Sequence, residues 1–343
     1  MATGTDNIVG DIHIDSFLTN YSESFIQDES TYISNAVATV IPVDKQSGVY
    51  QKINRSYYLR DELAPRPHGG TPVQVRYGVE RASYFVDELA AEHYIDDRQR
   101  AQNALPANSL DQNAVRLLTT KALVSRDRRW AAAFFRPGVW SNDKTGIASG
   151  TPSASQFIQW NQAGANPLSD ILLAKDEVSA LTGKVPNTIV LGANVITRLL
   201  LSPALVELIK YTQRGVLTVE LLASLFGVER VVVARSVYNA ADETSLPGTP
   251  TNPNGDTLDL QYIVNANGAW LGYVERTAAM DAPTAVAMFA WTGYEPGLVN
   301  SQGGIIRRGR DDRARSDWFQ IVDATEFAAV SPDLGVFFNN AVA

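Results

Sequence analysis

Residues 185–239 read VPNTIVLGANVITRLLLSPALVELIKYTQRGVLTVELLASLFGVERVVVARSVYN. An apolar run at 189–191 and another at 231–234 have strand length and β-branched content. Between them lie apolar residues at helical spacing. The pattern predicts strand, helix, helix, strand, the outline of an α/β core. Its turn, IVLGANV, stands where such cores bind nucleotides, yet the chemistry is missing. A dinucleotide turn needs three glycines so that backbone can approach pyrophosphate. Only Gly192 is present, with Asn194 and Thr197 at the other two positions. Gly192 reads as turn geometry. Neither a G-x-x-x-x-G-K-[ST] phosphate loop nor a G-x-S-x-G nucleophile elbow occurs anywhere in the chain. The stretch therefore points to a protein that builds rather than catalyses.

Composition narrows the classes. The chain has 343 residues, 45% of them hydrophobic and 19% charged, a balance that favours order over disorder. Net charge is −8, which argues against a protein whose whole surface attracts nucleic acid. A container for DNA stays possible. There is no cysteine, so disulfides, thiolate catalysis and Cys-ligated zinc are excluded. No apolar run long enough for a transmembrane helix is present, and the N-terminus lacks the basic and apolar regions of a signal peptide.

Working outward from the core, SLDQNAVRLLTTKALVSRDRRWAAAFFR at 109–136 predicts one helix of roughly 40 Å. Ser109 is its expected N-cap, and Pro137-Gly138 ends it. Residues 168–183 predict an amphipathic helix, with Ile171, Leu172, Val178 and Leu181 inward and Gly183 as C-cap. Residues 138–167 and 239–257 read as loops. LQYIVNA and AWLGYVE, separated by Asn267-Gly268, predict a hairpin. Residues 57–94 predict a long two-armed excursion with its turn at 65–71, marked by Pro65, Pro67, Gly69, Gly70 and Pro72. Val73, Val75 and Tyr77 alternate with polar residues and predict a strand in one arm. An isolated hairpin is marginal in water, so this one should need a neighbour. Residues 36–42 predict extended chain ahead of Pro42. The tail adds a strand in AVAMFAWTGYEPG, a charged stretch and an apolar end.

Few residues could carry chemistry. His93 stands near Asp96 and Asp97, and His13 near Asp15; His68 is the third histidine. Without a second distant histidine these read as surface or interface residues, not metal ligands. The stretch RRGRDDRARSD at 307–317 interleaves both signs. Asp311, Asp312 and Asp317 spoil it as a phosphate site, leaving a solvated strand or an inter-subunit salt-bridge patch. Arg60, Asp61 and Glu62 allow the same reading. No catalytic, cofactor-binding or metal residue is expected, and the chain reads as a non-enzyme.

The ordered set IPVDKQSGVYQKI, YLRDELAPR, PNTIVLGANVI, IKYT and GVLTVELLASLFGVERVVVARSVYN resembles the major capsid proteins of tailed bacteriophages, which have the Hong Kong 97-type capsid fold. The resemblance spans about residues 41–330. It implies an α+β chain with residues 1–56 as N-terminal arm and 57–94 as the extended loop over a neighbouring subunit. It further implies 95–165 as peripheral domain with the spine helix at 109–136, 166–276 as axial domain, and 277–343 as return strands of the peripheral domain. The implied function is self-assembly, as hexamers and pentamers, into an icosahedral shell around double-stranded DNA. The shell would mature from a procapsid, bind DNA without sequence specificity and touch no membrane. Because Met1 leads almost directly into the arm, a separate scaffolding protein is expected, along with a portal protein and a decoration or cement protein. The location implied is the virion capsid, assembled in the bacterial host cytoplasm. Some relatives crosslink through a loop lysine; residues 57–94 contain none, which argues against crosslinking here. Two other readings stay open: an encapsulin-like compartment on the same fold, and a soluble α/β domain with a pocket near Gly192 and Asn194.

Overall fold

The computed structural model describes residues 27–53, 55–102, 109–209, 218–241, 259–277, 283–300 and 303–343. In chain order the first strands are β1 (Thr39–Val43), β2 (Ser47–Ile53), β3 (Val79–Phe85) and β4 (Leu89–Asp96). Helices α1 (Asp97–Gln102) and α2 (Ser109–Phe134) follow, then β5 (Lys144–Ile147), β6 (Gln156–Ile158) and α3 (Pro167–Thr182). Next come β7 (Thr188–Gly192), α4 (Ala193–Leu200), α5 (Pro203–Ile209), α6 (Val219–Phe226), β8 (Arg230–Ala234) and β9 (Val237–Asn239). The chain closes with β10 (Leu260–Tyr262), β11 (Ala269–Gly272), β12 (Val286–Trp291), β13 (Ile305–Asp311), β14 (Ser316–Asp323), β15 (Thr325–Ala329) and β16 (Gly335–Asn339).

The core is a six-stranded mixed sheet in the order β6-β5-β16-β11-β7-β8. β7 is buried throughout, which is why its sequence is a continuous apolar run and not an alternation. Its residues divide between two layers. Ile189 and Leu191 join Ile171, Val178, Val195, Leu199, Leu222 and Phe226 on the helical side. Val190 joins Trp130, Trp270 and Phe337 on the other. β11 and β16 divide the same way: Leu271 and Phe338 face one layer, Trp270 and Phe337 the other. β7 and β8 run parallel, from Thr188↔Arg230 to Gly192↔Ala234. Among the described residues three helices lie between them, one more than predicted.

α2 serves two cores in succession. Ala114, Leu118 and Ala122 pack with Ile95, Phe319 and Ile321 of the sheet β13-β14-β4. Trp130 and Phe134 pack into the layer containing Trp270 and Phe327. The buried face therefore turns around the helix between its halves. Ser109 is itself the first helical residue, so it is not the N-cap. In α3 the caps are Asn166, whose side chain accepts from the Ser169 N–H, and Gly183 at φ 70°. The buried face holds Ile171, Ala174, Lys175 and Val178. Leu172 and Leu181, expected inward, are 40% and 44% exposed.

The extended chain expected over 36–42 becomes strand only from Thr39, residues 36–38 being turn and bend; β1 (39–43) runs parallel to β12, which also pairs with β15. Two other pairings differ from expectation. LQYIVNA and AWLGYVE make no hairpin: β10 pairs with β9, while β11 has β16 on one edge and β7 on the other. The Asn267-Gly268 turn does form, with the Gly268 N–H donating to Asn265 O. The excursion also differs. Its paired arms are β2 and β3, in register from Ser47↔Phe85 to Ile53↔Val79. Residues 73–77 form no strand, because the segment that would continue the ribbon opposite them is a short helical turn at Arg55–Tyr58. β4, placed in the excursion by its sequence, belongs to the sheet with β14.

Candidate assembly surfaces

The turn between β7 and α4 is filled by the chain's own backbone. Gly192 N–H donates to Gly268 O (3.0 Å), and the Asn194 and Val195 N–H groups donate to Ala266 O (3.1 and 3.3 Å). Asn194 Nδ2 donates to Asn267 Oδ1 at 2.7 Å. Helix N–H groups that would hold a phosphate are thus already satisfied. Gly192 sits at φ −64°, ψ 157°, which any residue adopts. Its glycine is required instead because a Cβ would run into the Ala266 carbonyl. The close approach, not the turn, explains the residue.

The histidine candidates do not assemble. His93 lies in β4 opposite Phe319. Asp96 accepts from the Arg98 N–H, and Asp97 accepts from Arg310. His68 is exposed on the loop, and His13 and Asp15 lie outside the described residues. Among the described residues no group of three or more His, Cys, Asp or Glu could hold a metal, and no helix is long and apolar enough to cross a membrane.

The charged stretch at 307–317 is satisfied largely within the chain. Arg310 reaches Asp97 (2.7 Å), Asp312 (3.1 Å) and Asp317 (3.2 Å). Its hydrogen bond to Asp97 raises its pKa, and the same bond lowers that of Asp97. Arg100 bridges Asp111 (2.6 Å) and Asp317 (2.9 Å), and Arg307 pairs with Glu295. Arg60 and Glu62 likewise pair with each other, at 3.5 Å. The network ties α1, the start of α2 and the β13–β14 hairpin together.

The β2–β3 ribbon leaves much of its surface open to solvent. Its base is anchored: Tyr84 stacks on Phe289 (centroids 4.7 Å apart), and Tyr50 lies tilted against the same ring at 5.4 Å. A Cβ on Gly48 would stand 2.6 Å from the Tyr84 hydroxyl, so glycine makes room for that ring. Residues paired across the ribbon share a face, and the face away from Tyr50 and Tyr84 exposes Val49, Val79 and Phe85. Beyond it the loop exposes Leu59, Val73, Val75, Tyr77 and Leu63, the last 92% accessible. Scattered surface apolar residues are ordinary, but a run of this length marks a surface that another body covers.

A buried polar cluster joins the N-terminal segment to this frame. Asp127 of α2 accepts from the Ile33 N–H (3.1 Å), the Ser34 N–H (2.9 Å) and the Ser236 hydroxyl (3.1 Å). Burial pushes its pKa up, against those hydrogen bonds. Gln27 clamps Val237, donating to its carbonyl (2.6 Å) and accepting from its N–H (3.0 Å). None of these five hydrogen bonds had a local sequence signal.

No protein-family model matches the chain. The major capsid protein of Burkholderia phage BcepMu is 28% identical over 229 residues, covering 66% of this chain and 70% of that protein. The major capsid protein of Pseudomonas phage JBD67 is 25% identical over 321 residues, covering 91% and 92%. A phage-related protein from Bordetella bronchiseptica RB50 superposes with a TM-score of 0.65 at 19% identity, over 95% of this chain and 96% of that one. This is the phage capsid fold. The capsid protein of cyanophage P-SCSP1u shares it, with a TM-score of 0.60 at 13% identity over 99% and 95% of the two chains. In capsid-fold terms the exposed ribbon, the long helix and the chemically empty β7–α4 turn belong to one structural protein.

Proposed function

We propose that this chain is the major capsid protein of a phage, a non-enzymatic subunit whose copies assemble into the icosahedral shell of the virion. The relationship to phage major capsid proteins over nine-tenths of the chain carries this reading. The exposed apolar ribbon and loop support it physically, since a monomer gains nothing from them. Both curated relatives are phage proteins, which favours a virion over an encapsulin-like compartment. In this reading residues 44–86 form the extended loop, an earlier and slightly longer span than 57–94. α2 is the spine helix of a peripheral domain, and residues 166–276 form the axial domain. β16, grouped by position with the return strands, is hydrogen-bonded into the axial sheet. The arm is then residues 1–43 rather than 1–56, fastened by Gln27 to Val237 and by Ile33 and Ser34 to Asp127. Hexamers and pentamers, a separate scaffold, a portal, a decoration protein, enclosed double-stranded DNA and assembly in the host cytoplasm complete the proposal.

The test is electron microscopy of the protein expressed with the products of its neighbouring genes. Shells, rings or capsomers are expected. Compact monomers alone, under every assembly condition, would reject the reading.

A further inference from the structure

One face of the sheet β13-β14-β4 is covered by α2, on which Ile95, Phe319 and Ile321 pack. Side chains alternate between faces along each strand, so the register sets what lies on the other face. There Gly309, Trp318 and Tyr94 stand side by side, one from each strand. A Cβ on Gly309 would run into the Trp318 indole, so the glycine lets that ring lie down along the sheet. Trp318 stays partly exposed, and Tyr94 is 51% exposed.

The aromatic row has an acidic edge. Glu92, two residues from Tyr94, and Asp311, two residues from Gly309, share its face. A hydrogen bond to Glu92 raises the pKa of the Tyr94 hydroxyl, and the charge of Asp311 adds to it, which places both carboxylates beside the ring. Asp311 accepts from the Arg313 and Ala314 N–H groups of its own turn. The acids nearby are taken by arginines: Arg310 holds Asp97 and Asp317, and Arg100 holds Asp111. Among the described residues neither Glu92 nor Asp311 has a cationic partner.

An aromatic row suits extended, proline-rich chain, whose shape is set before it binds. An acidic edge adds a preference for a cation within that chain. Residues 64–67, Ala-Pro-Arg-Pro at the tip of the loop, have this make-up. Each proline fixes its own φ and biases the residue before it toward extended backbone. All four residues are exposed. Arg66 Nε donates to Gly70 O at 2.6 Å, which holds the tip together behind them. Within one copy the segment and Tyr94 are both exposed, so they do not cover each other. A contact between two unlike surfaces repeats from copy to copy and closes into rings.

We propose that residues 64–67 of one copy dock on the Trp318–Tyr94 row of the next, with Arg66 at Glu92 and Asp311. The proposal rests on the reading that copies of this chain assemble, and it adds the surface that receives the loop.

The chain has no cysteine, so engineered disulfides report the contact directly. Gln320 lies on the docking face, in the row next to Trp318. Oxidised full-length A64C/Q320C should give linked multimers, and a mixture of A64C and Q320C single variants should give linked dimers. A64C with L117C, on exposed α2, should give none. Sedimentation then measures the protein concentration at which copies associate. R66E and E92R should each raise it by about fivefold, the upper range for an exposed ion pair. R66E/E92R should recover most of that loss. Y94S should raise it at least about tenfold, as loss of an aromatic anchor does, with an unchanged urea midpoint. Linkage within single copies only, or wild-type association in Y94S and both charge variants, would overturn the proposal. Linked multimers of a protein that forms no shell would keep the docking and reject the shell reading. Shells that neither link nor respond to these variants would keep the shell reading and reject the docking.

Discussion

Arg126 and Asp323, 197 residues apart in sequence, face each other as a buried bidentate pair: Nε donates to Oδ2 at 3.1 Å and Nη2 to Oδ1 at 2.8 Å. Arg129 donates to the same carboxylate at 2.6 Å. Asp323 ends β14 just before β15, so this one side chain fastens the middle of the long helix to both strands. Removing one member leaves a buried charge without its partner, which costs about 3–5 kcal/mol. Asp323→Ala should therefore lower the denaturant midpoint sharply, and Arg126→Met should do nearly as much. A change below about 1 kcal/mol in either, measured by urea unfolding of unassembled subunits, would place the pair outside the stabilising frame.

Asp127, the next residue of α2, behaves differently because the described donors on its carboxylate are backbone N–H groups and a hydroxyl, not cations. Burial raises its folded pKa above the ordinary 3.8. The folded state then binds more protons than the unfolded one between those two values. Its contribution is fully present below the unfolded pKa and is lost as pH rises through the folded pKa. Asp127→Asn should remove this dependence. The stability difference, wild type minus variant, is expected to fall from pH 4 toward neutrality. A difference that stays flat or rises in pH-resolved unfolding would contradict the burial argument.

Gly192→Ala tests the packed turn. The added Cβ would meet the Ala266 carbonyl, and that carbonyl already accepts from Asn194 and Val195. Overpacking of a rigid site costs about 1–3 kcal/mol. A drop in melting temperature is expected, without gain of any nucleotide response. A melting shift with a nucleotide panel, abolished by Asn194→Ala, would instead revive a ligand pocket at this turn.

What the sequence revealed followed locality. The unbroken apolar run of β7, the 26-residue helix α2 and the Gly183 cap are local patterns, and each is present. The Asn267-Gly268 signal was also local and real. The hairpin was not, because Ala269–Gly272 meets Thr188–Gly192 and Gly335–Asn339 on its two edges, a choice made by distant partners. Lys175 was invisible for a related reason. It is buried in α3 because its Nζ donates to Phe226 O (2.9 Å) and Gly227 O (2.6 Å), capping the end of α6. Nothing near residue 175 announces a helix terminus 51 residues later. The candidate surfaces were half legible: the turn at 65–71 was marked by Pro and Gly, but the strands that carry it were set by Tyr50 and Tyr84 finding Phe289.

Deletion of residues 65–71 separates folding from assembly. Nearly all of that segment is exposed, and its internal ties are local: the Gly70 N–H donates to Pro67 O at 3.0 Å and Arg66 Nε to Gly70 O at 2.6 Å. No core residue is lost, while the anchor of the ribbon on Phe289 lies at its other end. Subunit stability should change by no more than about 0.5 kcal/mol, the range of surface changes away from special features. If the loop covers a neighbouring copy as proposed, shell yield should drop, or shells should fall apart at lower temperature, because that apolar loop would be shortened. The measurements are urea unfolding of the unassembled subunit and electron microscopy of assembly reactions. Loss of folded subunit would show that the loop belongs to the monomer's own core, and wild-type shells would show that its tip takes no part in contacts between copies.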